Sequence, residues 1–163
     1  MMKRLGLLVF LCWFAAGISQ AQEVDQSIKD GVKALWEAQQ KAFDNHDVDG
    51  VMATYADSDD IMLMGTGPGE HWVGKEEVKD AYSNFMKGFD ANTVEAKCGE
   101  GAGSARGDVV WLTIVCHFKD QKQGENREFV LNLSGVIVKQ GEDWRYHTIH
   151  FSHLMGNPEQ AAK

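Results

Sequence analysis

The stretch from Trp144 to His153 constrains the fold most, because it alternates bulky apolar and polar residues. Side chains point alternately to the two faces of a β-strand, so this pattern predicts a strand with one buried face. If Trp144 points into the protein, its face carries four further side chains, those of Tyr146, Thr148, His150 and Ser152. Such a strand needs neighbouring strands and a covering layer to bury that face.

The rest of the chain offers both. Glycine-containing polar turns separate further strand-like segments, which lie at 61–66, 93–104, 109–118 and 129–139. Apolar residues at three- and four-residue steps predict helices over 25–43 and 75–89, and Asp47 can cap a short helix between them. Helices followed by meandering strands predict an α+β domain with an antiparallel sheet.

The first residues have the pattern of a secretory signal peptide. Lys3 and Arg4 precede an apolar run over 5–17, and Ser19 and Ala21 place small residues two apart. We expect cleavage after Ala21, which leaves a single domain over 22–163 without a membrane span, in the periplasm or secreted. An uncleaved anchor is the alternative, but the apolar run is short for a bilayer.

The charge of the chain excludes some partners. The formal net charge is −8, and loss of the two positive residues with the signal peptide makes it −10. A chain this acidic has no basic surface for nucleic acid or for anionic membranes. The glycine-rich segment 65–69 lacks the following Lys-Ser/Thr of a phosphate loop, and we expect no cofactor.

Five segments, in this order and spacing, resemble the SnoaL-like branch of the nuclear transport factor 2-like superfamily. They are Asn45 to Gly50, Tyr55 to Asp57, Trp72 to Glu76, Gly107 to Trp111 and Trp144 to Ser152. The last segment is also similar to the association domain of calcium/calmodulin-dependent protein kinase. The resemblance implies a cone-shaped, curved antiparallel sheet with three N-terminal helices enclosing a pocket, and a homodimer formed through the sheet.

Fold does not fix function here, since relatives include isomerases, cyclases, dehydratases, epoxide hydrolases and non-catalytic domains. The segment 61–66 holds no acid, 109–118 holds neither Asp nor Arg, and 129–139 and 144–153 hold no Asp or Glu. These absences disfavour chemistry by a carboxylate base in the strands.

The histidines of the last strand are the other candidates for chemistry. His147, His150 and His153 are three apart, so on a strand His150 points away from the other two, and we expect no metal site. His150, on the predicted Trp144 face, is the candidate general acid or base, with the Tyr55 hydroxyl as an oxyanion donor. The alternative is that His150 is a structural, hydrogen-bonded histidine.

Large aromatic side chains are the candidates for a pocket lining. The ligand-binding candidates are Trp36, Tyr55, Trp72, Tyr82, Phe85, Trp111, Trp144 and His150. Together they predict a small, largely apolar ligand with few hydrogen-bonding groups. The alternative for each of them is that it fills the core.

Two cysteines remain after cleavage. If the hairpin turns at Arg106-Gly107, Cys98 lies opposite Cys116. An exported protein permits a disulfide between them, and two buried thiols are the alternative.

Three functions stay open at this point. The first is an exported domain that binds a small apolar molecule. The second is an isomerase, dehydratase or hydrolase that uses a pocket histidine. The third is a dimeric assembly or interaction domain without catalysis.

Overall fold

The computed structural model describes residues 24–154. The predicted signal peptide, 1–21, and the C-terminal tail lie outside the described residues. The helices are α1 (Gln26–Asp44), α2 (Val48–Met52) and α3 (Lys75–Phe85), and a 3-10 turn at Met86–Gly88 follows α3. No helix within the described range is long and apolar enough to cross a membrane.

The helix starts follow the capping chemistry of the sequence. Asp25 accepts the Ser27 N–H at 2.7 Å, and Asp47 accepts the Gly50 N–H at 2.9 Å, so the predicted cap of the short helix is confirmed. The third helix ends at Phe85 rather than Phe89. Its chain tightens into the 3-10 turn, which leaves Phe89 extended and packed on Phe43 with ring centroids 4.9 Å apart.

Within residues 24–154, six strands form one sheet. They are β1 (Met62–Met64), β2 (His71–Val73), β3 (Glu95–Arg106), β4 (Val109–Lys122), β5 (Glu125–Gln140) and β6 (Asp143–His153). Their order is β2-β1-β6-β5-β4-β3. All neighbours are antiparallel except β1 and β6, which run parallel. The sheet curves around the three helices, and the predicted α+β architecture is confirmed.

Two features of the sheet differ from the prediction. Strand β2 was not predicted, because three residues give too little pattern to recognise. The β4–β5 hairpin is longer than its apolar segments, since its polar end continues to Lys122 and Glu125. The turn uses Gln123 and Gly124, both with positive φ (55° and 80°), which suits a two-residue hairpin loop.

The sheet buries one face against the helices. Its core positions include Leu63, Leu133, Ile137 and Ile149, each at most 2% exposed. We call the opposite side the outer face. One row of cross-strand neighbours on it comprises Val73, Met62, Thr148, Val136, Trp111 and Ser104.

The last strand contains a β-bulge. Val136 pairs with Thr148, but the next residue, Ile137, pairs with Tyr146, so His147 is an extra residue. Before the bulge Tyr146 faces the helices, and beyond it Ile149 does. One extra residue reverses the alternation of faces, which places His150 on the outer face. The prediction that His150 shares the face of Trp144 is therefore wrong.

The long hairpin β3–β4 carries the cysteine pair. Cys98 lies directly opposite Cys116, which confirms the predicted pair. The turn lies one position later than predicted, with Arg106 opposite Val109, and a register shift between Cys98 and Gly101 brings the two cysteines together. The two residues form a disulfide across a sequence separation of 18. Cys116 is fully buried, so the bond ties the outermost strand, β3, to the interior of the sheet.

Candidate functional site

A cavity of about 400 Å³ lies between the helices and the inner face of the sheet. Six phenylalanines contribute to its walls, namely Phe43, Phe85, Phe89, Phe118, Phe129 and Phe151. Phe118 and Phe129 stack across β4 and β5, with ring centroids 5.4 Å apart and planes at 11°. This size and lining are typical of sites that enclose a small organic molecule.

Two glutamines of α1 bring polar groups to this aromatic cavity. Gln39 and Gln40 both border it, and Gln39 is only 3% exposed. The buried atoms Gln39 Nε2 and Gln40 Oε1 have no hydrogen-bond partner among the described residues. An unpaired buried polar group costs about 1–3 kcal/mol, so the wall of the cavity holds two amides with unused hydrogen-bonding capacity.

An ion pair with a buried carboxylate forms another part of the wall. Arg127 donates to Asp120 through Nε at 2.7 Å and through Nη2 at 2.6 Å. The Asp120 side chain is 5% exposed and that of Arg127 is 40% exposed, so the guanidinium covers the carboxylate. The hydrogen bonds to Asp120 raise the pKa of Arg127. Paired bonds of this kind hold both side chains in one orientation.

Asp120 was not predicted as a cavity residue, because the predicted strand ends at Phe118. The available signal was the continuing alternation of Cys116, Phe118 and Asp120, all of which are buried. Arg127 lies directly opposite Asp120 on β5, which the same extension would have shown.

The glycine-rich loop between β1 and β2 places a second carboxylate at the cavity. Glu70 Oε2 accepts the Gly67 N–H at 2.7 Å, so the side chain folds back over its own loop. A Cβ on Gly65 would lie 2.3 Å from Glu70 Oε2. The loop therefore needs glycine at position 65 to hold the carboxylate in this position.

The structure brings two of the predicted ligand-binding residues to the cavity, Tyr82 and Phe85. Trp72 packs edge-on against Phe85 at 5.2 Å, behind the wall. Trp36 is partly buried in the core, and Trp144 lies under α1 beside Gly31. These three tryptophans are absent from the cavity lining and act in packing.

Tyr55 is a buried structural residue. Its hydroxyl lies 2.9 Å from that of Tyr82, and its backbone bridges to that of Tyr146. Burial raises the pKa of Tyr55 well above its ordinary value. The phenol is thus a neutral hydrogen-bonding group, and its partner is the hydroxyl of Tyr82.

His150 and Trp111 lie on the outer face, away from the cavity. His150 Nδ1 is 3.3 Å from Ser134 Oγ, and Trp111 is 45% exposed. The two border a shallow depression of about 500 Å³ on that face. Because Tyr55 packs on the helix side of the sheet, the structure does not bring it together with His150, and the predicted pair is separated by the sheet.

The other histidines of β6 do not form a cluster either. His147 contacts Thr148 Oγ1 at 2.9 Å and Asp60 Oδ1 at 3.4 Å. In the described part of the chain, no group of three histidine, cysteine or acidic side chains could hold a metal ion.

The fold resembles solved structures of the nuclear transport factor 2-like superfamily. One is a superfamily protein from Salmonella enterica, at 18% identity and a TM-score of 0.69, which covers 80% of this chain and 94% of that chain. Another is a candidate dehydratase of the same family from Streptomyces avermitilis, at 14% identity and a TM-score of 0.68, with coverages of 78% and 97%. Identities this low show the fold alone.

A third similar structure is a candidate calcium/calmodulin-dependent protein kinase II association domain from Xanthomonas campestris. It is 17% identical, has a TM-score of 0.66, and covers 77% of this chain and 87% of that chain. No curated protein matches the chain. The family model of the SnoaL-like domain matches residues 32–156, which include most of α1, the other two helices, the sheet and the residues that line the cavity. The chain belongs to the SnoaL-like domain family.

Proposed function

We propose that this protein is exported and binds a small, largely apolar molecule in its phenylalanine-lined cavity. The observation that carries the proposal is the buried amide of Gln39, which borders an aromatic cavity and has an Nε2 without a partner in the described residues. A chain that only filled its core would be more stable with an apolar residue there. Retention of the amide is explained if a ligand completes its hydrogen bonds.

A neutral fluorescent probe tests this function directly. Prodan fits a cavity of about 400 Å³ and changes its emission in apolar surroundings. We expect one prodan molecule per chain, and loss of binding in Leu131→Trp, whose indole would occupy the cavity. Asn132→Trp is the matched control, since Asn132 is the exposed neighbour on the other face. Val94→Phe is a second blocking variant.

The outcome of this test is read together with thermal unfolding of each variant. Cooperative unfolding shows that a variant is folded, so its loss of prodan can be assigned to the filled cavity. Equal prodan binding by the folded blocking variants and the wild type would contradict a ligand site in the cavity. Fractionation of cells and N-terminal sequencing test export, with Gln22 as the expected first residue.

Catalysis by a pocket histidine has less support than binding. None of the described residues that border the cavity is a histidine. The carboxylate of Asp120 borders it, but both of its oxygens accept hydrogen bonds from Arg127. Paired hydrogen bonds of this kind hold the carboxylate on Arg127 rather than directing it at a bound molecule. This arrangement favours a binding site over a site for proton abstraction.

We also propose that the protein forms a homodimer through the outer face. The large apolar side chains that are most exposed in the described chain all lie on this face or at its edge, namely Met64, Val73, Val109 and Trp111. An exposed apolar patch on a sheet is typical of an interface. Trp111→Glu should convert a dimer to a monomer in sedimentation equilibrium, whereas Lys33→Glu, on the exposed side of α1, should not.

A further inference from the structure

We propose that the ligand of the cavity carries an amine on an otherwise apolar frame, rather than a carboxylate or a phosphate. This inference rests on the proposed function of the cavity as a binding site. It adds the chemical class of the polar group that the site selects.

The charges around the cavity disfavour an anionic ligand relative to a cationic one. The charged residues in the described lining are Glu70, Asp120 and Arg127, so the formal charge of the lining is −1. The only positive group among them directs Nε and Nη2 to Asp120. Two of the five N–H groups of Arg127 bind Asp120, so that carboxylate already balances its charge. A ligand carboxylate would add a third negative group to a lining with one positive group, and Glu70 would repel it.

Acceptors for an amine are present in the same cavity. A carboxylate has about four acceptor sites, and Glu70 uses one of them for the Gly67 N–H. Gln40 Oε1 is a buried acceptor without a partner in the described chain. The free acceptor sites of Glu70 thus suit a ligand group that donates several hydrogen bonds, as an ammonium does, and Gln40 Oε1 would add another once its amide turns toward the cavity.

The walls also favour a cation. A positively charged nitrogen is attracted to the face of an aromatic ring, and the attraction is strongest where water is excluded. Phenylalanines from α1, α3, β4, β5 and β6 surround the cavity. The formal net charge of −8 of the whole chain attracts a cationic ligand during its approach.

Three ligands of nearly equal shape test the proposal. They are 3-phenylpropylamine, 3-phenylpropan-1-ol and 3-phenylpropanoate, and their affinities are measured near neutral pH by displacement of prodan from the whole mature protein. We expect the amine to bind at least about tenfold more tightly than the carboxylate, and the alcohol to bind with intermediate affinity. The reason is that the interaction of one pair of charges at close range is large enough to change an affinity by more than this factor.

A neutralising variant identifies the residue that selects the amine. Glu70→Gln should reduce the ratio of amine to carboxylate affinity about fivefold or more and leave the alcohol unchanged. Glu37→Gln makes the same charge change on the exposed side of α1, and it should leave the ratio unchanged. An unchanged ratio in folded Glu70→Gln would overturn the role of Glu70.

The remaining outcomes separate this inference from the proposed function. If prodan and the alcohol bind but the carboxylate binds as tightly as the amine, the inference is wrong and the binding function stands. If prodan and all three ligands fail to bind the folded protein, both proposals are contradicted.

Discussion

Trp144 and His150 lie on opposite faces of the last strand, although an even number of positions separates them. Trp144 packs under α1, and His150 contacts Ser134 on the outer face. The bulge at His147 causes this reversal. A single extra residue therefore removes the best histidine candidate from the cavity.

The position of His150 predicts that it does not affect ligand binding. His150→Ala should leave the affinity for prodan unchanged and lower the free energy of unfolding by about 1 kcal/mol or less, since it loses one long hydrogen bond at 3.3 Å. Urea denaturation and fluorescence titration measure the two quantities. A large loss of affinity in the folded variant would mean that His150 reaches the site.

The contact between Gly31 of α1 and Trp144 of β6 predicts that alanine is less favourable than glycine at position 31, which is the reverse of their usual helix propensities. Ala normally stabilises a helix by about 1 kcal/mol relative to Gly. A Cβ at Gly31 would lie 2.4 Å from Trp144 Cδ1, and overpacking of this kind costs about 1–3 kcal/mol. We expect Gly31→Ala to lower the free energy of unfolding.

A double-mutant cycle with Trp144→Leu checks this explanation. The smaller side chain removes the clash, so Gly31→Ala should stabilise the protein in the Trp144→Leu background. Equal effects of Gly31→Ala in both backgrounds would show that the contact does not limit position 31.

The buried pair of Tyr55 and Tyr82 predicts that one substitution lowers the free energy of unfolding more than two substitutions do. Tyr82→Phe would leave the Tyr55 hydroxyl buried without its partner at 2.9 Å, which costs about 1–3 kcal/mol. Substituting Phe at both positions removes both polar groups and should cost less than Tyr82→Phe alone. Urea denaturation measures this order, and additive losses would contradict a mutual hydrogen bond.

The large elements of the fold were predictable because each has a regular pattern. The spacing of Leu35, Gln39 and Phe43 predicts α1, and two strand-like segments around a glycine-containing turn predict the β3–β4 hairpin. The predicted pair of Cys98 with Cys116 is also correct, although it depends on a register shift between Cys98 and Gly101. The family resemblance and the enclosed pocket are also correct.

The site was less predictable, because its residues depend on the ends and irregularities of these elements. Asp120 and Arg127 sit on polar strand extensions that resemble a loop in sequence. The bulge at His147 has no signature in the alternation, since both faces beyond it carry large side chains. Glu70 reaches the cavity only because its loop folds back on Gly65, which is a tertiary feature.

The disulfide predicts a strong effect of reducing agents on stability. A bond that closes a loop with a separation of 18 should contribute about 3 kcal/mol, by restricting the unfolded chain. Reduction should lower the free energy of unfolding by about this amount in urea. The double variant Cys98→Ala/Cys116→Ala should be less stable and insensitive to the reducing agent, and sensitivity of that variant would point to another cause.

The hairpin turn after β4 predicts a loss of stability in acid. Asp90 accepts the N–H of Gly124 at 2.8 Å and of Gln123 at 3.0 Å, and these bonds hold the pKa of its carboxyl below the ordinary value. A lowered pKa in the folded state means that the ionised group stabilises the fold above the unfolded pKa of about 3.9. This contribution decreases as the pH falls below the unfolded pKa, and it is lost once the pH has fallen through the lower pKa of the folded state.

Asp90→Asn should therefore be less stable than the wild type near pH 7, and the difference should shrink as the pH falls toward about 3. Urea midpoints across this range measure the change, and Asp80→Asn, at an exposed position of α3, is the control. The Asp90 carboxylate holds the turn between β4 and β5, and Asp120 and Arg127 pair across the same two strands. Asp90→Asn should therefore also weaken prodan binding. A stability difference between Asp90→Asn and the wild type that stayed constant with pH would show that the carboxylate does not stabilise the turn through its charge.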